Sequence, residues 1–511
     1  MSAVASAPIT AAPPPRFRMG TVARHSLVYG LGILISKSVS FVMLPVYTRF
    51  LTPGDYGVME LIDMSLDVIA MMAGGGIAVG IFRFYHKAGS EEQRRAVVST
   101  ALQALALSYV IVALATMLAA PQVSQLVFQS RAYTPLIRIA AGSLAFQSLL
   151  IAPLAYVRVR QQSTTFVVAN LAKLVLALGF NIYFVVGLRM GARGVLTSTL
   201  IANAVVGTAL GILTIRQVGL VWSPAALRNL LRYGMPLIAT QVATFIATFG
   251  DRYFLQHASQ LTTVGIYTLA YQFGFILGTI GYMPLELVWA PMRFEVAKRA
   301  DRDEIYARVF VYLNLVLISA AVGITLFIGD LLHVMATPAF HPAAALVPII
   351  LIAYVLQGWA GMQDIGIHIR ERTSLLTVSN WLSAGTAIVG YAILIPRLYG
   401  LGAALATAAA FAVRYGTTYH FSQRLWPVRY RWAPVVRLIA YGLAVCAVSF
   451  LLPPAPNRVL SMATHAALFL LYVGAAWSFG VLSQAERERV TRLARTARSA
   501  ILARMVPQQA A

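Results

Sequence analysis

The chain has 511 residues, 59% of them hydrophobic and 11% charged, with a formal net charge of +23. A soluble protein of this length exposes far more charge, and the excess of Lys and Arg, which elsewhere would suggest nucleic acid, sits here in the connections between apolar runs. Runs of about 20 apolar residues, each able to cross about 30 Å of hydrocarbon, recur along the chain and predict an all-α polytopic membrane protein.

Residues 1–20 are rich in Pro and Ala, lack the apolar segment of a signal peptide, and are expected to form a disordered cytoplasmic lead. Fourteen spans are expected: Ser26 to Tyr47, Val58 to Phe82, Val97 to Ala119, Leu136 to Val157, Thr165 to Gly187, Gly194 to Ile215, Tyr233 to Phe254, Val264 to Ala290, Tyr306 to Ile328, Ala343 to Gln363, Ser374 to Ile395, Gly400 to Phe421, Val436 to Leu452 and Leu460 to Leu482. Residues 485–511 place Val490, Leu493, Ala497, Ile501 and Met505 on one helical face with arginines elsewhere. Such a tail is expected either to lie on the anionic inner leaflet or to be a solvated basic end.

Of the 40 Lys and Arg, 28 fall in the termini and loops of one side and six (Arg49, Arg131, Arg189, Arg193, Arg397, Arg458) on the other. Basic loops stay in the cytoplasm, so both termini are expected inside, as an even number of spans requires. Cys446 is the only cysteine, which excludes an intramolecular disulfide. No Gly-rich phosphate loop followed by Lys and Ser or Thr occurs, so ATP hydrolysis is not expected to drive the protein, and no cofactor is expected.

A repeat organises the chain. Leu27, Tyr29 and Gly30, then Thr48-Arg49-Phe50-Leu51, then Tyr56-Gly57-Val58 return as Leu231, Tyr233 and Gly234, then Asp251-Arg252-Tyr253-Phe254, then Val264-Gly265-Ile266. The run Gly74-Gly75-Gly76 corresponds to Gly278, Gly281 and Pro284. Six spans separate the copies, so they share an orientation. This predicts two six-helix lobes, 21–216 and 217–422, related by a pseudo-twofold along the membrane normal, with two further helices over 423–484 and the substrate between the lobes.

Charges within the spans mark the candidate site, because a mid-bilayer charge costs roughly 2.5–3.5 kcal/mol on insertion scales and is rarely kept without a cavity or partner. Lys37, Lys173 and Arg252 are the cations, with Arg49 at an outer span end, and Glu60, Asp63 and Asp67 share one face of the second span. Lys37 and Asp67 are expected at similar depth. Structural readings stand beside the functional ones. Arg49 with Glu60, and Asp251 with Arg252, could be salt bridges holding helices together, and the glycine run at 74–76 could be a close helix crossing or a hinge.

The segments LPVYTRFLTPGDYGVMEL and GDRYFLQHASQLTTVGIYTLAYQFG resemble the polysaccharide biosynthesis family, the oligosaccharide repeat-unit flippases of the multidrug, oligosaccharidyl-lipid and polysaccharide exporter superfamily. The resemblance implies movement of an undecaprenyl-diphosphate-linked oligosaccharide from the inner to the outer leaflet of a bacterial inner membrane. It also implies a polysaccharide polymerase and chain-length machinery as partners. On that reading Lys37, Lys173, Arg252 and Arg49 contact the diphosphate, and Asp63, Asp67, Glu60 and Asp251 balance charge or couple an ion. Two alternatives remain from sequence: a cation-drug antiporter of the same superfamily, which the acidic face of the second span suits, and an integral-membrane glycosyltransferase or polymerase, which the short outer loops disfavour.

Overall fold

The computed structural model of the protein describes residues 43–74, 76–453, 455–478, 480–481, 484 and 487–488. These residues form helices and no strand. Eleven helices are long and apolar enough to cross a membrane, or twelve if Pro338–Ala345 and Val347–Ile369, bent by 49°, make one span. The expected count of fourteen is not reached among them. The first expected span lies outside the described residues except for its outer end, α1 (Leu44–Phe50). The N-terminal lead and nearly all of the basic tail lie outside them too.

In chain order follow α2 (Pro53–Gly74), α3 (Ile77–Lys87), α4 (Glu91–Leu118), the short α5 (Ala120–Phe128), α6 (Thr134–Val159), α7 (Ser163–Asn181), α8 (Gly191–Val218), α9 (Pro224–Phe249), α10 (Asp251–Ala258) and α11 (Leu261–Ile276). They are followed by α12 (Met283–Val296), α13 (Arg302–Met335), α14 (Val347–Met362), α15 (Ile365–Ile369), α16 (Ser374–Leu425), α17 (Trp432–Leu451) and α18 (Arg458–Ser478). Local chemistry sets many of the ends. Ser90 caps α4 by accepting from the Gln93 amide at 3.2 Å, with Glu91 and Glu92 favouring the positive end of the helix dipole. Ser223 caps α9 in the same way ahead of Pro224, and Gly219, at φ +76°, ends α8.

α16 runs to 52 residues, about 78 Å at helical rise, more than twice a bilayer core. It does so by reversing: Tyr399 adopts φ 47°, ψ −122°, and the two arms pack antiparallel, with the Ser383 hydroxyl donating to the Ala410 carbonyl at 2.8 Å. Sequence placed two spans here.

The second and eighth expected spans are both interrupted. α2 and α3 are separated at the glycine run, where Gly76 takes φ +77°. α11 and α12 are joined by a π-helical turn, Leu277–Tyr282, holding Gly278 and Gly281. The repeated glycines thus mark repeated breaks. Within the first half of the chain α4, α6, α7 and α8 pack together. In the second half α14 packs on α16 and α9 on its arms, while α17 and α18 lie against α13. The Trp359 indole donates to Asn314 Oδ1 at 2.6 Å, and Trp359, Trp432 and Phe310 form a contiguous aromatic group that ties α13, α14 and α17.

Candidate functional site

The two halves meet along α2 and α3 on one side and α9, α10 and α11 on the other. Where both helices begin, α2 crosses α11 through glycines: a Cβ at Gly265 would collide with the Pro53 carbonyl oxygen, and one at Gly57 with that of Leu261. Only glycine permits so close an approach. Beside this crossing the Thr48 hydroxyl donates to the Met335 carbonyl at 2.7 Å, Thr337 donates back to the Thr48 carbonyl at 3.3 Å, and Tyr56 meets Phe340 edge-on. These contacts close the interface between the halves at the end where α2 and α11 begin.

One layer deeper lies an ion cluster. Arg252 has no exposed surface, so its charge must be compensated within the protein. It donates to Asp251 Oδ1 at 2.7 Å and to the Thr248 carbonyl at 2.8 Å, and its guanidinium lies 3.9 Å from the centre of the Tyr271 ring. Across the interface Glu60 of α2 stands 3.7 Å from Arg252 Nε. Asp251 is itself fully satisfied, with Oδ2 accepting from Tyr267 at 2.5 Å and from Thr407 at 3.1 Å. The Ser65 and Tyr253 hydroxyls, 3.0 Å apart, add a second polar link between the halves.

Below the cluster a cavity of about 520 Å³ opens between α2 and α9, lined by Asp67, Met71, Tyr109, Thr240, Thr244 and Phe249 among others. Its far boundary is another glycine crossing: Gly76 lies against Gly234, Gly80 against Leu230, and Arg83 and Phe84 pack on the Tyr233 ring. The glycine run is therefore both the break in the helix and a close crossing. The cavity offers a carboxylate, hydroxyls, an amide from Gln241 and aromatic faces. That is a lining suited to hydroxyl-rich ligands, whose hydroxyls it can bond and whose apolar ring faces it can cover.

The expected site residues fall into four groups. Asp67 lines the cavity, and Asp63 is exposed one turn nearer the start of the same helix; neither has a hydrogen bond or ion pair among the described residues. Lys173 is half-buried in the middle of α7, likewise without a partner there. Arg252, Asp251 and Glu60 form the buried cluster, so in this conformation Arg252 is closed to a ligand. Arg49 is exposed at the outer end and does not pair with Glu60, whose cation is Arg252: the helix-joining bridge suggested for Arg49 is replaced by one between the halves. Lys37, and with it the expected match to Asp67, lies outside the described residues.

Sequence reasoning passed over the hydroxyls of the cavity and a second ion group. Thr240 and Thr244, one turn apart in an apolar span, were a legible polar stripe; Thr240 also meets Thr377 of α16 at 2.9 Å. Asp364, in the turn between α14 and α15, accepts from Arg293 at 2.9 Å and lies 3.1 Å from His368 Nε2. Arg293 was counted among the loop charges but is 8% exposed. Nothing local in the sequence announces that pair.

The family described as Polysaccharide biosynthesis protein matches residues 22–297. No curated protein matches the chain. Among solved structures, the lipid II flippase MurJ in an inward closed conformation aligns with a TM-score of 0.74 at 11% identity, covering 88% of this chain and 99% of that one. An inward-facing multidrug resistance MATE family transporter of the MOP superfamily aligns at 0.58 and 15% identity, covering 78% and 94%. A MATE in complex with MaD3S aligns at 0.55 and 16%, covering 79% and 95%. At these identities the likeness is one of fold.

Proposed function

The chain belongs to the polysaccharide biosynthesis protein family, and on that premise we propose that it carries a lipid-diphosphate-linked oligosaccharide from the inner to the outer leaflet of a bacterial inner membrane, for surface polysaccharide such as lipopolysaccharide or exopolysaccharide. The observation that carries the proposal is the cavity between the halves, with Asp67, Thr240, Gln241, Thr244 and Tyr109 on its walls and a glycine crossing at each end. The sugars occupy this cavity. Lys37 and Lys173 meet the diphosphate from the first half, and Arg252 joins them once the halves part and Glu60 withdraws. The crossings alternate as gates while the halves rock about the cavity, and Asp63 and Asp67 couple the motion to an ion gradient or to the membrane potential. In this account the protein makes and breaks no covalent bond.

Deletion of the protein is expected to accumulate lipid-linked repeat units on the inner leaflet and to abolish surface polysaccharide. Lys173→Ala is expected to do the same at unchanged membrane abundance, while Lys173→Arg keeps part of the export because charge is retained in a different head shape. Normal export by Lys173→Ala would remove this residue from the diphosphate contacts. A second reading, export of a cationic drug in exchange for an ion, is favoured by one observation: among the described residues the cavity wall carries a carboxylate and no Lys or Arg. Ethidium efflux from cells with and without the protein separates the two, since the flippase leaves efflux unchanged.

A further inference from the structure

A second cavity, of about 440 Å³, lies at the basic end of the bundle, where the end of α6, the start of α7 and the end of α8 meet. Its character is divided. One wall carries Gln161, Gln162, Thr164, Thr165, Thr214 and Gln217; the other is apolar, formed by Val157, Leu210 and Leu213.

Three features of the polar wall suit an anion. α7 begins here and its N-cap residue Gln162 makes no side-chain cap; Thr164 and Thr165, which line the pocket, lie in the first turn at the positive end of a 19-residue helix. Thr214 is 4% exposed and lines the cavity, yet its hydroxyl has no hydrogen-bond partner among the described residues. Its hydroxyl is therefore open to the cavity and free to donate to a ligand there. At the rim Arg160 is held by the Tyr156 hydroxyl at 3.0 Å and by Gln217 Oε1 at 3.5 Å, and the Arg158 guanidinium lies over the Phe82 and Phe166 rings. No carboxylate lines the pocket among the described residues.

The apolar wall decides the source of the anion. Leu213 is 51% exposed on α8 and Val168 59% exposed on α7, so an apolar track runs from the pocket toward the hydrocarbon. A soluble phosphate would leave that track unused, whereas a phospholipid presents a phosphodiester with acyl chains attached. The end of the bundle is the one that carries the basic loops, which places it at the leaflet with anionic lipid. We propose that this pocket, outside the cavity between the halves, binds the headgroup of an anionic phospholipid, with the phosphate on Thr214, the first turn of α7 and Arg160, and one acyl chain along Val168 and Leu213.

The test is native mass spectrometry of the full chain in detergent, titrated with dioleoyl phosphatidylglycerol, dioleoyl phosphatidylethanolamine or inorganic phosphate alone. One phosphatidylglycerol is expected to be retained in preference to phosphatidylethanolamine. Thr214→Val and Arg160→Gln should each weaken it about tenfold, the scale of a hydrogen bond to a charged group. Thr214→Ser, which keeps the hydroxyl, should retain the lipid, and Thr197→Val at the far end of α8 should leave it unaltered; both report that the bundle is folded. Equal retention by wild type, Thr214→Val and Arg160→Gln would overturn the proposal, as would inorganic phosphate displacing the lipid at equal concentration.

Discussion

Replacing Glu60 with Gln takes away the carboxylate that, among the described residues, the first half contributes to the Arg252 cluster, while Arg252 keeps Asp251 at 2.7 Å and the Thr248 carbonyl at 2.8 Å. The bare attraction across 3.7 Å is about 4 kcal/mol at an effective dielectric near 20, but desolvation of both groups offsets most of it. A net loss of about 1–2 kcal/mol is expected, which shifts an equilibrium between closed and open outer sides by about 5- to 30-fold. Asp251→Asn perturbs the same cluster differently. It leaves the fully buried guanidinium with only the more distant Glu60 carboxylate, at 3.7 Å, and weakens the acceptor for Tyr267 and Thr407, a loss of about 3 kcal/mol. The two substitutions therefore separate in paired assays of membrane abundance and of thiol labelling at a cysteine introduced at Tyr56, which the outer seal buries. Glu60→Gln should keep normal abundance with faster labelling and altered export; Asp251→Asn should lose abundance. Unchanged labelling in Glu60→Gln, or normal abundance in Asp251→Asn, would refute the division of this cluster into a link between halves and a structural pair.

Gly265→Val should force the outer ends of α2 and α11 apart, because even its Cβ has no room beside the Pro53 carbonyl, and export should fall below a tenth of wild type; normal export would show that the crossing is dispensable. Gly76→Ala meets both a left-handed backbone, which costs about 1–2 kcal/mol, and the backbone of Gly234, so a drop of several degrees in thermal unfolding is expected from the purified protein. For topology, cysteines at Gly54 and Ala258 should label from outside intact cells and one at Ser90 only after permeabilisation, as the distribution of basic loops requires; labelling of Ser90 in intact cells would invert the assignment.

Much of the architecture was legible in one dimension. Hydrocarbon thickness dictates run length and unsatisfied backbone groups dictate helix, so the helical span pattern follows from composition along the chain. The correspondence of the glycine run at 74–76 with Gly278 and Gly281 was legible too, while the structure shows that both interrupt a helix. Asp67 was legible as a charge too costly to keep without a purpose, and it lines the cavity. What sequence could not supply was the partner of each charge. Arg49 and Glu60, adjacent across a short loop, were the obvious pair, but Glu60 meets Arg252 from the other half of the chain. Asp251 is completed by Thr407, 156 residues away, and Thr48 by the Met335 carbonyl, 287 away. Arg293 reads as a loop cation until Asp364, 71 residues on in the turn between α14 and α15, is found beside it. The bilayer acts on each helix separately and leaves its mark in local composition, whereas the choice among partners is made only when helices pack, by distances of a few ångströms that no spacing along the chain encodes.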